Sequence, residues 1–113
     1  MLKITVIDTY VGCRAADTAF EIAFSEDGVW RLAHEGRTDS SGNSTLFKQE
    51  NSFKPGYYEL TLFLGEYFKK QEYPLAGRKF VDIVPVRFGI DDASSDVTIT
   101  VTISPNGYSV WKG

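Results

Sequence analysis

One cysteine, one histidine and one methionine occur in the 113 residues, and each scarcity removes a class of chemistry. Cys13 alone can form no disulfide within the chain and no cysteine-based metal site within it. His34, in the charged stretch Ala33-His34-Glu35, reads as a solvent-exposed side chain rather than a metal ligand or the base of a nucleophile triad. Long apolar runs are missing too. A membrane span needs about 20 apolar residues in succession, so no membrane partner is expected. The net charge is −3 and the basic residues are scattered, which argues against a nucleic-acid footprint. Gly36 and Gly42 flank a turn that lacks the Gly-Lys-Ser/Thr of a phosphate loop. Met1 to Ile7 enters a strand pattern with no charged-then-apolar leader, so a cytoplasmic protein is expected. No cofactor or metal is expected. Cys13 beside Arg14 reads as a loop thiol next to a solvated charge, and Asp91-Asp92 as a solvated turn cluster.

What is present is apolar and aromatic: 42% hydrophobic and 14% aromatic residues, enough for a core. The length suggests a single domain over residues 1–113. A chain this short leaves much apolar surface outside, so association with copies of itself is a reasonable expectation. Strand-length stretches alternate with turn signals, the pattern of an all-β sandwich or barrel. Expected strands are Leu2 to Asp8, Thr18 to Ser25, Val29 to Glu35, Ser44 to Lys48, Tyr57 to Phe63, Phe80 to Ile90, Asp96 to Ser104 and Gly107 to Lys112. Asp27-Gly28, Lys54-Pro55-Gly56 and Pro105-Asn106-Gly107 supply turns. Gly65 to Gln71 breaks the rhythm with helix formers and predicts a short helix stopped by Pro74. Pro85 predicts an edge position, a bulge or a strand start.

The most informative stretch runs from Val97 to Ile103. Val97, Ile99, Val101 and Ile103 point one way, and Thr98, Thr100 and Thr102 point the other. From the pattern alone the threonine ladder is a solvent-exposed sheet face, since threonine is favoured in strands.

Four stretches, taken in order, resemble the transthyretin and 5-hydroxyisourate hydrolase family. They are Val6-Ile7-Asp8-Thr9 with Gly12 and Ala15-Ala16; Trp30 with Gly36-Arg37-Thr38-Asp39 and Gly42; Gly56-Tyr57-Tyr58 with Gly65 to Lys70; and Ser104 to Gly113. The resemblance implies a transthyretin-like sandwich of two four-stranded sheets with one short helix. It also implies a homotetramer, a dimer of dimers whose facing sheets enclose a channel with two small-molecule sites. Thr5, Ile7, Thr98, Thr100, Thr102, Ser109 and Trp111 would then line a pocket wall.

Hydrolase members of that family use a histidine on the first strand, an arginine after the third loop, a histidine on the penultimate strand and a Tyr-Arg-Gly-Ser ending. Here those positions hold Thr5, Asn43, Thr98 and Trp111-Lys112-Gly113. Threonine is a poor base at neutral pH, and asparagine donates hydrogen bonds without charge. The resemblance therefore implies a ligand site of Thr5, Ile7, Asn43, Thr98, Thr100, Thr102, Ser109, Trp111, Lys112 and Gly113 with the hydrolytic set replaced. Three readings follow. The leading one is a binder of a planar heterocycle. The second is an enzyme of altered chemistry, hydrolysing or cyclising an unstable heterocycle with Thr98, Asn43, Lys112 and the Gly113 carboxylate as candidate groups. The third is a 5-hydroxyisourate hydrolase with a non-standard residue set.

Overall fold

A computed structural model describes residues 1–73 and 77–113. In chain order the elements are β1 (Leu2–Asp8), β2 (Cys13–Arg14), β3 (Ala19–Glu26), β4 (Val29–Arg37), β5 (Asn43–Leu46), β6 (Gly56–Phe63), α1 (Leu64–Lys70), β7 (Ile83–Ile90), β8 (Val97–Ser104) and β9 (Gly107–Lys112). They form two sheets. In one, β1 runs parallel to β8, and β9 returns antiparallel on the far side of β8. The other edge of β1 is shared: β5 pairs with Leu2 to Thr5, and β2 pairs with Ile7 and Asp8. The two short strands together fill one strand position. The second sheet is antiparallel in the order β4-β3-β6-β7.

Alternation decides what lies between the sheets. Leu2, Ile4 and Val6 of β1 and Ile99, Val101 and Ile103 of β8 turn inward, against Phe20 and Ile22 of β3 and Tyr58, Leu60 and Leu62 of β6. Each fully buried aliphatic or aromatic side chain contributes roughly 1.5–3 kcal/mol relative to exposure. Pro85 sits in β7, an edge strand, where its missing N–H breaks no ladder on the open side.

Several boundaries differ from the sequence reading, each for a local reason. β4 runs on to Arg37, two residues past the expected end; His34 lies within it, exposed, and meets the Phe47 ring edge-on at 4.8 Å. β5 stops at Leu46 because Phe47 takes φ 56°, a left-handed turn. β7 begins at Ile83 rather than Phe80, since the Asp82 carbonyl accepts the Leu64 and Gly65 N–H groups and is occupied at the start of α1. Cys13 and Arg14, read as loop, form the short β2. The helix spans Leu64–Lys70; Pro74, its expected stop, lies outside the described residues. Among the described residues no helix is long and apolar enough to cross a membrane.

One buried carboxylate holds the end of β1. Asp8 is fully buried and accepts hydrogen bonds from the Tyr67 hydroxyl at 2.9 Å, the Tyr73 hydroxyl and the Tyr10 N–H at 2.9 Å. Without such donors a buried charge would be prohibitively desolvated. Burial, and then the bond to Asp8, push the Tyr67 hydroxyl well above the usual tyrosine pKa; the same causes push Tyr73 up to about 12. Stability from these raised values is fully present below pH ~10, where unfolded tyrosine titrates, and is lost as pH rises toward the folded values. Tyr67→Phe should therefore lower stability by about 1.5–3 kcal/mol at pH 8, as for a hydrogen bond to a charged group. Urea denaturation repeated between pH 8 and 11 should show a shallower alkaline decline in the variant than in the parent.

Candidate functional site

The outward face of β1, β8 and β9 is built by register. Ile7, Thr102 and Ser109 lie in one row; Thr5, Thr100 and Trp111 in the next; Lys3 and Thr98 in a third. Across the shared edge, Asn43 of β5 extends the middle row beside Thr5, and Arg14 of β2 extends the first beside Ile7. The threonines of β8 and Ser109 are half-buried, Thr5 is buried and Trp111 is 65% exposed. Gly113 completes the wall with its backbone: its N–H donates to the Thr98 carbonyl at 2.7 Å and its carbonyl accepts from the Thr100 hydroxyl at 2.9 Å.

Lys112 departs from the expectation. It is in register with Ile99, a core residue, whereas Trp111 is in register with Thr100. Period-two alternation therefore turns it off the threonine face. It borders instead a small apolar recess of about 90 Å³ at the β7–β9 side, with Val86, Phe88, Ile90 and Val110.

The hydroxyls of the face are bonded mostly to one another and to neutral oxygens. Thr5 donates to Asn43 Oδ1 at 2.8 Å, Thr102 and Ser109 share a short hydrogen bond, and Trp111 Nε1–H donates to Ser109 Oγ at 3.1 Å. Among the described residues none of them is bonded to a carboxylate side chain or an imidazole. His34 is on the other sheet, in β4. Carboxyls with displaced pKa values also lie elsewhere: Lys70 and then Arg37 hold Asp17 low, and Arg37 and then Lys70 hold Glu66 low. Among the described residues the face carries neither a carboxylate side chain nor an imidazole, the usual side-chain proton acceptors near neutral pH.

Asn43 is placed by a tight loop. The Asp39 carboxylate accepts the Ser41 and Asn43 N–H groups at 2.8 and 3.0 Å, and the Asp39 N–H donates to the Asn43 carbonyl at 2.8 Å. Val6 N–H donates to the Gly42 carbonyl at 2.8 Å while its own carbonyl accepts Ala15 N–H at 2.9 Å. Buried Thr38 then knots the two loops, donating to the Ala15 carbonyl at 2.6 Å and accepting Thr18 N–H at 2.9 Å.

Two cations that the sequence pattern did not single out also stand at this face, Arg14 placed by that knot and Lys3 by β1 itself. Arg14 Nη1 donates to the Ser41 carbonyl at 3.3 Å and to Asn43 Oδ1 at 3.4 Å, so a guanidinium stands beside the Thr5–Asn43 pair. Lys3 lies between Thr45 and Thr98 at the far end of β1. Alternation along Lys3, Thr5 and Ile7 was the available signal for the lysine; no signal in the sequence placed Arg14.

A two-sheet β-sandwich with a helix after its sixth strand and a hydroxyl-lined β1-β8-β9 face defines a protein of the transthyretin class. The HIUase/Transthyretin family matches residues 2–113, and the chain belongs to that family. It is similar to 5-hydroxyisourate hydrolase 2 of Rhizobium meliloti strain 1021, 33% identical over 96% of this chain and 91% of that one. It is also similar to the 5-hydroxyisourate hydrolase of Pseudomonas aeruginosa PAO1, 34% identical over 96% of this chain and 86% of that one. Among solved structures, (S)-allantoin synthase superposes with a TM-score of 0.90 and 31% identity. That match covers 99% of this chain and 43% of the synthase, so this chain spans less than half of that protein. Sea bream transthyretin in complex with thyroxine superposes with a TM-score of 0.86 over 99% of this chain and 93% of its own; at 22% identity it shares the fold.

Gly42 is the tightest point of the site. Its φ is +73°, and an added Cβ would stand 2.7 Å from the Val6 carbonyl oxygen. Gly42→Ala should destabilise by about 1–3 kcal/mol and speed hydrogen exchange at the Val6 amide. Gly28→Ala, at φ +81° in open space, should cost only about 1–2 kcal/mol and leave that amide protected. Urea denaturation with amide exchange by NMR checks both.

Proposed function

We propose that this chain is a divergent member of its family that binds a small planar heterocycle at the β1-β8-β9 face and has lost the family's hydrolysis of 5-hydroxyisourate. One observation carries the reading: the face is intact as a scaffold, yet its polar side chains are hydroxyls, an amide, an indole and the cations of Lys3 and Arg14, with no histidine among them. The positions that the family devotes to hydrolysis hold Thr5, Asn43, Thr98 and Trp111. Loss of one general base or oxyanion donor lowers a rate by roughly 10²–10⁴-fold, and here several are lost together. Hydroxyl donors set between methyl groups, with an exposed indole at one end, suit a flat ligand with polar edges.

On one chain this face is an open sheet. Two copies facing each other would make it a channel, and the homotetramer belongs to the same proposal. Support comes from the edges: β9 and β7 each end their sheet without a neighbour and flank the apolar recess at Val86, Phe88 and Val110. Strand-to-strand pairing there would join two chains before two dimers meet across the hydroxyl face.

The decisive assay generates 5-hydroxyisourate from urate and follows its decay. Decay with the protein present should equal spontaneous decay; a protein-dependent acceleration of a hundredfold or more overturns the loss of hydrolysis. A bound heterocycle at a hundredfold excess over its Kd should stabilise the fold by about 2.7 kcal/mol, read as a thermal shift. Thr100→Trp, which fills the centre of the face, should abolish that shift. Light scattering checks the tetramer.

A second reading, altered chemistry on an unstable heterocycle, is favoured by Thr98. Its hydroxyl has no hydrogen-bond partner among the described residues, and it lies in register with Lys3. Turnover lost in Thr98→Val with binding retained would favour that reading over a carrier.

A further inference from the structure

We infer that Arg14 makes the site selective for an anionic ligand, a planar heterocycle bearing a carboxylate or an equivalent ionised oxygen. The inference rests on the binding face proposed above and adds the charge of its occupant. Arg14 is exposed, lies beside Ile7 across the β1–β2 pair, and reaches Asn43 Oδ1, the same oxygen that the Thr5 hydroxyl occupies. Its two hydrogen bonds, at 3.3 and 3.4 Å, use Nη1 alone and go to neutral oxygens. A guanidinium carries five N–H donors in a planar fork, so most remain available to a ligand. Among the described residues no carboxylate lies within 4.0 Å of it, whereas Arg37 and Arg87 each have an acidic partner. A positive charge without a carboxylate side chain in contact, at the rim of a face with no acidic side chain among the described residues, favours an anion there.

The geometry also orients that ligand. Asn43, Thr5, Thr100 and Trp111 form one row across four strands, about 14 Å from end to end at the usual strand spacing. The cationic rim is at the Asn43 end and the exposed indole at the other. A flat ring against Thr100 and Trp111 would thus direct its acid group toward Arg14, where fork-shaped, charge-assisted hydrogen bonds are the strongest available. Lys3 is the rival cation on this face. It lies one row further along β1, beside Thr98 and away from Asn43.

Titration calorimetry with indole-3-propionate and its neutral amide, indole-3-propionamide, tests the inference on the intact protein. The parent should bind the carboxylate at least tenfold more tightly than the amide. Arg14→Gln should erase that preference while keeping affinity for the amide, Arg14→Lys should keep part of it, and Lys3→Gln should leave it within threefold of the parent. Thermal melts confirm that the variants fold, which the exposure of Arg14 and its long hydrogen bonds favour. Equal affinity of the parent for both compounds, or a preference that survives Arg14→Gln, overturns the role of Arg14 and leaves the heterocycle site standing. A preference lost in Lys3→Gln but kept in Arg14→Gln assigns it to Lys3 and overturns the inference equally. If the parent binds neither indole, this inference falls, and a purine panel with no thermal shift would take the underlying site reading down as well.

Discussion

Val6 is where the molecule is tied together. Its side chain is fully buried between the sheets, and its backbone on the open edge of β1 holds two segments at once, accepting Ala15 and donating to Gly42. A central strand with an unpaired edge would leave backbone groups unsatisfied or open to a foreign strand. The chain closes that edge with two short pieces that arrive from different parts of the sequence. Because both end on Val6, Arg14 and Asn43 arrive together beside Thr5. The polar corner of the site follows from sealing an edge.

Across the rest of the face, hydrogen bonding is largely internal. Thr5 is satisfied by Asn43, Thr102 by Ser109, and Thr100 by the Gly113 carbonyl. Such a face gives little to water and loses little when covered, because its donors need not find new partners. That internal bonding is what the proposed binding role draws on.

Much of this was legible in the sequence. The alternation from Val97 to Ile103 sets core against face, and β8 shows that partition in full. Turn dipeptides located the hairpins, and the break in rhythm after Phe63 located the helix. Boundaries went astray where tertiary contacts override local signals: Phe80 to Asp82 looks like strand, yet the Asp82 carbonyl serves α1. Period two separates Lys112 from Trp111, putting it in register with Ile99 rather than with the threonines. Arg14 was out of reach for a different reason. A resemblance carries residues only onto positions that the family uses, and a charge contributed from β2 appears only once the register of Ile7 with Arg14 is known. Its neighbour Cys13 gave that stretch the look of a loop.

The parallel pairing of β1 with β8 has a kinetic side. Leu2 and Val97 are partners across nearly the full length of the chain, and contacts so distant in sequence form slowly because loop closure precedes any reward. The antiparallel sheet, made of nearer segments, can assemble first. The hydroxyl face is different: β1 lacks its main partner until β8 and β9 are in place. The face exists as a surface only once three strands from the two ends of the chain have met, so it is among the last features that folding can complete.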